Sequence, residues 1–348
     1  MGRMINWTDP VFEAAVRSEL AKPEGPIFEG DLREIRQVVI RSNLVQFGGA
    51  LSVGDHHPHN RNPGVQSLDD LLHFPSILIL DVSFTNISDF TPLAKLGDLQ
   101  RLNLYHNPNM TDLSPLAGLK LVTLVINDLP VEDFSPILEI STLVNLEVYR
   151  TGLVTLDMAG RFPNLRRLNL NRNEIADISF LAGYTDLTYL DLRENRITDL
   201  SPLAGMRELF SLSIGGNPFS DISVLAGMPN LRQLSMQGTN VSDLSPLSEL
   251  RWLSLLNLSD GQIHSLEPLA RLRDLRTLDV SHNQITSLRP LENLPGLLEL
   301  NVADNLLTDV SPLHNMRWLR QLNVSLNGLT PTQIAALERA LAECEVVS

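Results

Sequence analysis

Twelve pairs of aliphatic residues, each pair spaced two apart, recur along this chain at a constant step of 22 residues. They run Leu80/Val82, Leu102/Leu104, Leu124/Ile126, Leu146/Val148, and continue without a slip to Leu300/Val302 and Leu322/Val324. An apolar-x-apolar pair has the period of a β-strand, with both side chains on one face. A register held this long means that each unit is one small structural element. Such a unit cannot bury its apolar face alone, so neighbours must stack to make a core. One continuous array is therefore expected from the 348 residues, rather than two separately cored domains.

The unit reads L-x-x-L-x-L-x-x-N-x-I-x-D-L-S-P-L, as from Leu187 to Leu203. This is the leucine-rich-repeat template, and it implies an α/β solenoid, or horseshoe, with a parallel concave sheet and short helical or 3₁₀ turns on the convex side. Five residues after the first leucine of each pair stands Asn at 107, 173, 195, 217, 283, 305 and 327. A buried amide there can satisfy backbone groups where the chain leaves the strand. Thr85, Thr151 and Thr239 can do part of this; Leu129 and Gly261 cannot, so their units are expected to be looser. Ser201-Pro202-Leu203 and its equivalents read as Ser at the N-cap with Pro at the first helical position. Asp stands two residues before that Ser at 89 (before Thr91), 112, 133, 199, 221, 243 and 309, which suits the positive end of the turn. The alternative, a calcium ladder, would spread its ligands a whole repeat apart. Two irregularities are expected to distort only the outer wall: an extra residue in Asn107-Pro108-Asn109-Met110, and the missing Ser-Pro-Leu after Leu146.

The ends differ from the repeats, as the ends of an open stack must. Residues 1–64 read as an N-terminal cap, 65–330 as repeats and 331–348 as a C-terminal cap, all in one continuous domain. Asp9-Pro10 opens a helix with Phe12, Val16 and Leu20 on one stripe, and a short second helix is expected around Asp31 to Ile35. Val38-x-Ile40-x-x-Asn43-x-Val45 has the look of a repeat. Pro331 to Glu343 reads as an amphipathic helix carrying Ile334, Leu337 and Leu341, with a last strand after Cys344.

The run Asn195 to Met206, N-x-I-x-D-L-S-P-L-A-G-M, resembles the internalin type of bacterial leucine-rich repeat, a class that includes the Sds22-like regulators of protein phosphatase. The segments Asp9-Pro-x-Phe-Glu-Ala-Ala-Val-Arg and Ala-Leu-x-x-Ala-Leu-Ala-Glu-Cys resemble caps of bacterial members. The resemblance implies capture of a ligand, usually a protein, on the concave sheet. Surface internalins carry a secretion signal, an immunoglobulin-like domain and a wall anchor, none of which is visible in this sequence.

The net charge of −14, without a basic run, argues against binding a nucleic-acid backbone. No stretch approaches transmembrane length, and the single Cys344 implies no oxidising compartment. A cytoplasmic monomer is expected, or a secreted or surface protein whose leader has been removed. No catalytic triad, phosphate loop or paired metal motif is present, so a non-enzyme without cofactor is expected. Tyr105-His106 beside Asp128 could be imagined as an acid/base site, but an open sheet offers no pocket to perturb their pKa values. Asp55-His56-His57-Pro58-His59 is the one metal-like cluster, and a solvated loop is the plainer account of it.

Residues between and beside the strand leucines pave the concave face and are expected to answer to a partner rather than to the fold; they include Asn103, Asn169, Asp191, Asn257, Asp279 and Asn301. Tyr105, Tyr149 and Tyr189, three of the four tyrosines, fall on this face among several arginines. Tyr and Arg are the side chains most enriched at binding hot spots. The expected protein-binding residues are Tyr105, His106, Tyr149, Arg150, Arg172, Tyr189, Arg193 and Glu194. The plain alternative is that exposed strands simply tolerate Tyr and Arg. Beyond it stand a regulatory subunit or inhibitor of an enzyme, and a metal-responsive protein working through His56 to His59.

Overall fold

The computed structural model describes residues 3–42, 44–48 and 64–348. They fall into two compact units, Met1–Leu165 and Arg166–Ser348.

The first unit opens with α1, Pro10–Glu19, whose N-cap Asp9 accepts the Val11 N–H and whose Phe12 and Val16 are buried. Leu20 ends the helix as its C-cap. The second expected helix is a single 3₁₀ turn, Glu29–Leu32, set slightly earlier than the sequence suggests. Buried Asp70 accepts the N–H groups of Thr8 and Asp9 at 2.8 and 2.7 Å, and Asp9 in turn accepts Gln66 N–H at 2.8 Å. These bonds tie the cap helix to the start of the repeat segment. Strand β1, Gln37–Arg41, behaves as the sequence anticipates, pairing in parallel with β3, Ile79–Ser83. The segment after it was not anticipated. Instead of turning outward, β2, Leu44–Phe47, folds back antiparallel on β1 and forms the edge. Three parallel strands follow β3: β4 Arg101–Asn103, β5 Thr123–Val125 and β6 Asn145–Glu147, with Leu102, Leu124 and Leu146 in register. The extra residue near Asn107 is absorbed in a turn, Met110 N–H to Asn107 O, outside the strand.

The second unit is one parallel sheet. Its strands are β7 Arg167–Asn169, β8 Tyr189–Asp191, β9 Ser211–Ser213, β10 Gln233–Ser235, β11 Leu255–Asn257, β12 Thr277–Asp279, β13 Glu299–Asn301, β14 Gln321–Asn323 and β15 Glu345–Val347. Leu168, Leu190, Leu212, Leu234, Leu256, Leu278, Leu300, Leu322 and Val346 stand in one row across it. The unit closes with α2, Pro331–Ala340, begun by a Thr330/Gln333 capping box and buried through Leu337.

In both units the first leucine of each pair and the aliphatic residue two further on are almost wholly buried. Each such side chain contributes about 2 kcal/mol by leaving water, which is why the core is a column repeated along the stack.

Two details of the template are settled by geometry. The Asn row forms a ladder between repeats. Asn195 Nδ2 donates to Leu192 O in its own repeat and to Leu170 O in the one before, both at 3.0 Å, while its Oδ1 accepts Ile175 N–H at 3.0 Å. Asn217, Asn283, Asn305 and Asn327 repeat this pattern. At Leu129 the ladder is replaced by a buried apolar side chain. The second detail corrects the expected cap. Ser201 is the first residue of its 3₁₀ turn, and the capping oxygen comes from Asp199, which accepts both Ser201 N–H and Ser201 Oγ–H at 2.8 Å. Asp112, Asp133, Asp243 and Asp309 do the same. Those four carboxyls, with Asp89, Asp177 and Asp221, are held below the usual carboxylate range, each chiefly by the hydrogen bonds it accepts from the Ser or Thr two residues on. Their oxygens are engaged within their own turns.

Candidate functional site

Both ends of each short strand present side chains to solvent, and they do so by different means. At the strand end, the residue four past the first leucine adopts a left-handed conformation in every repeat. In the first unit these are Phe84, His106, Asp128 and Arg150, with φ of 55° at each. In the second they are Arg172, Glu194, Gly216, Gly238, Asp260, His282, Asp304 and Leu326, with φ between 50° and 68°. For a residue other than glycine this costs roughly 1–2 kcal/mol. What offsets the cost is the sheet, which continues through this position. His106 N–H reaches Asn127 O at 3.0 Å and Glu194 N–H reaches Gly215 O at 2.8 Å, each on the next repeat. The result is a row of side chains at fixed pitch along the strand-end edge.

In the first unit the row is aromatic, then charged. The Phe84 ring lies edge-on to Tyr105 at 4.9 Å between centroids and 5.2 Å from the His106 ring. His106 Nδ1 is 2.6 Å from Asp128 Oδ2, and Arg150 Nε stands 3.7 Å from the other oxygen of Asp128. Partial burial, with the Asp128 carboxylate second, pushes the Tyr105 phenol above its ordinary pKa. Tyr149 is half-buried, its N–H held by Asn127 Oδ1 at 2.8 Å. Four expected residues therefore share this sheet surface, and Phe84 joins them. Its signal in the sequence is its place just ahead of the ladder position.

In the second unit the expected residues already have partners on the sheet surface. Arg172 Nε reaches both oxygens of Glu194 at 3.0 and 2.9 Å. Arg193 grips the fully buried Asp191 through Nη2 at 2.6 Å and Nε at 3.0 Å, and that bond raises its guanidinium pKa further. Tyr189 is half-buried beneath the Arg167 guanidinium, 4.2 Å from the ring centroid.

Part of the face assigned to partners serves the fold instead. Asn103, Asn169, Asp191, Asn257, Asp279 and Asn301 each accept the backbone N–H two residues ahead, at 2.9–3.2 Å. They hold the chain as it leaves the strand, a local bond that Asn and Asp make readily. Gly215, on the same face, is covered as well. A Cβ there would lie 2.7 Å from Gln237 O and 2.6 Å from its side chain, so Gln237 covers it.

At the strand-start edge of the second unit, Tyr189 is the one residue that the sequence singles out. A hollow of about 810 Å³ there is lined by Arg167, Tyr189, Glu208, Phe210, Arg232 and Trp252, among others. Phe210 and Trp252 are exposed at 44% and 55%. They stand two and four residues ahead of a strand leucine, where the template asks for nothing apolar.

The cluster His56 to His59 lies outside the described residues. Among the described residues no group of three or more His, Cys, Asp or Glu is placed to hold a metal ion, and no helix is long and apolar enough to cross a membrane.

Comparison with known proteins agrees with this architecture. A family model described as "Leucine Rich repeats (2 copies)" matches residues 163–205 and 273–313, and a second, "Leucine rich repeat", matches 185–241. An internalin (inlF) from Listeria monocytogenes is similar over 98% of this chain and 88% of its own, at 23% identity and a TM-score of 0.75. The chain in the Drosophila Toll–Spatzle complex is similar over 79% of this chain and 41% of its own, at 19% identity and a TM-score of 0.63. Those two likenesses are likenesses of fold. No curated protein matches. Internalin C2 from Listeria monocytogenes is 32% identical, with 55% of this chain and 83% of its own covered and a TM-score of 0.51. With that identity, the repeat matches and the Asn ladder together, the chain belongs to the internalin-type leucine-rich-repeat proteins.

Proposed function

We propose that the chain is a non-catalytic scaffold that binds a protein partner through the solvent face of its sheet, at the strand-end edge. The observation that carries this is the packed ring cluster of Phe84, Tyr105 and His106, bordered by Asp128 and Arg150. Apolar and aromatic area inside a polar, charged rim is the anatomy of a protein-binding patch. In the second unit, Arg172, Arg193 and Glu194 extend the reading at the strand end. The pairing of Arg172 with Glu194 and of Arg193 with Asp191 fixes their geometry before any partner arrives, which lowers the ordering cost of association. The leucine-rich-repeat protein of the Toll–Spatzle complex, similar in fold, is itself solved with a partner bound.

The test is capture from a lysate of the source organism, comparing wild type with a Tyr105→Ala, Tyr149→Ala, Arg150→Glu variant whose melting temperature is unchanged. A protein retained by wild type and lost by the variant supports the reading. A retained protein that brings an enzymatic activity, inhibited on the complex, turns the scaffold into a regulatory subunit. Equal recovery by both removes the strand-end site.

A further inference from the structure

The hollow at the strand-start edge of the second unit combines three features found together nowhere else among the described residues. First, it has apolar walls in contact with water: Phe210 and Trp252 are the exposed aromatics there. Second, it holds two guanidiniums against aromatic rings. Arg232 sits 5.6 Å from the Phe210 centroid and 5.9 Å from that of Trp252, and Arg167 lies 4.2 Å from that of Tyr189. Third, neither of these two arginines has a carboxylate within ion-pair distance among the described residues, whereas the neighbouring Arg166 and Arg251 are paired to Asp186 at 3.0 Å and Glu249 at 2.8 Å. An arginine stacked on a ring keeps its N–H fork free in the plane of the guanidinium, and that fork matches a carboxylate. In a chain of net charge −14 such a spot is a local reversal of sign.

The backbone limits how a ligand can be held. Phe210 N–H donates to Thr188 O at 2.9 Å, Arg232 N–H to Phe210 O at 2.9 Å, and Ser254 N–H to Arg232 O at 2.8 Å. The main chain is thus consumed in the sheet, and recognition falls to side chains. The volume lies within the roughly 300–1,000 Å³ that ligand clefts occupy, so it admits a few residues rather than a flat surface. Glu208 on the lining disfavours a densely charged polyanion and fits a ligand with one or two carboxylates.

We infer that this hollow binds an acidic segment of a partner protein, with carboxylates on Arg167 and Arg232 and an apolar side chain between Phe210 and Trp252. It is a site separate from the strand-end edge and stands or falls without it. The experiment is fluorescence anisotropy on the full chain with a labelled peptide of alternating Glu and Leu, beside the same peptide with Gln in place of Glu. The acidic peptide binds, more weakly as salt is raised. The Gln peptide and an Arg167→Gln, Arg232→Gln variant each weaken binding at least about tenfold. A Tyr105→Ala, Tyr149→Ala, Arg150→Glu variant binds as wild type does. Binding is also read independently as a change in tryptophan emission that is absent in Trp252→Phe. No binding of the acidic peptide overturns the assignment, as does equal binding of the two peptides, indifference to the arginine changes, or preference for oligogalacturonate, an acidic sugar chain. Loss of binding in the strand-end variant overturns the location. None of these results bears on the capture experiment above, because the probe is a synthetic peptide.

Discussion

In the second unit the two edges of one sheet, only a few residues apart along each repeat, are built on opposite principles. At the strand end the backbone is held left-handed, and side chains pair along the row, as Arg172 does with Glu194 and His282 with Asp304 at 2.8 Å. At the strand start the backbone is ordinary extended chain, and the guanidiniums of Arg167 and Arg232 find rings but no counter-charge among the described residues. A partner at the strand end must exchange existing ion pairs for its own, which favours selectivity over raw affinity. A partner at the strand start covers exposed aromatic area and meets unspent donors, which favours affinity. Fixing a side chain well and leaving it free to bind are different tasks, and this repeat assigns one to each end of its strand.

The two edges should differ most when the same residue type is changed behind each. Asn195 is buried and serves four backbone groups in two repeats. Asn230, at the strand start, is exposed, and its side chain donates to Arg207 O at 3.0 Å. Asn195→Ala leaves buried carbonyls and an N–H without partners and is expected to cost about 3 kcal/mol, against under about 0.5 kcal/mol for Asn230→Ala. Urea denaturation of both variants reads the difference. Similar losses would mean that the ladder is not what carries the strand end.

The next largest effect comes from the left-handed row. Gly216 has φ +68°, and a Cβ there would meet the Cα, N and Cγ of Glu194 at 3.2–3.3 Å. Gly216→Val is expected to destabilise by about 2–3 kcal/mol, from left-handed strain plus the tight contact. Leu326, with φ 54° and 74% exposed, is the converse case. Leu326→Asn is expected to gain up to about 1 kcal/mol, since Asn tolerates this conformation and little packing is lost. Calorimetric melting of both variants is the measurement. A Gly216→Val protein as stable as wild type would remove the conformational half of the comparison.

How far the sequence could show this follows from what its residue types are compelled to do. Leucine pairs at a period of two have one outcome, so strands, register and core column follow from Leu102/Leu104 and its successors. Asn at the ladder position is nearly as compelling, because a buried amide must find partners. The expected cap lies one residue too late: Ser201 is already the first residue of the turn, and the acceptor for its N–H comes from Asp199, two residues before it. Strand β2 was hidden because Val45 two residues past Asn43 looks like another repeat, and only the pairing shows the chain folding back on β1. The left-handed row was illegible at His106, Arg150 and Arg172, whose side chains give no hint of it, and faintly legible at Gly216 and Gly238. Asn103 and its equivalents looked free because strand alternation points them outward, yet their carbonyl oxygens turn back to the backbone. The hollow is hidden in the sequence because Phe210 and Trp252 precede their strands, outside the alternation that marks concave-face positions.

A smaller effect separates the edges by pH. Asp304, by accepting a hydrogen bond from the His282 ring, raises the pKa of that imidazole, with the nearby Asp260 adding to it. A folded-state pKa above the unfolded value means that the contribution to stability is fully present below the unfolded pKa, near 6.5, and is lost as pH rises through the folded one. In Asp304→Asn the ring is expected to titrate closer to its ordinary value, followed by NMR of the imidazole protons. The strand-start hollow contains no histidine, so peptide binding there is expected to be flat between about pH 6 and 8. A His282 titration unmoved by Asp304→Asn would show that the pair at the strand end does not persist in solution.

The smallest expected effect on stability is at the hollow itself, and its smallness is the point. Trp252 and Phe210 are half in water, so shortening either to Ala removes little buried area and one ring contact with Arg232. Each change is expected to alter unfolding free energy by less than about 1 kcal/mol. A large aromatic side chain kept where the fold gains so little from it is explained by contact with something else. If Trp252→Ala instead costs several kcal/mol in urea titration, the ring is framework, and the strand-start edge obeys the same rule as the strand end. If it melts as wild type does and also fails to bind the acidic peptide, stability and recognition have been separated at a single residue.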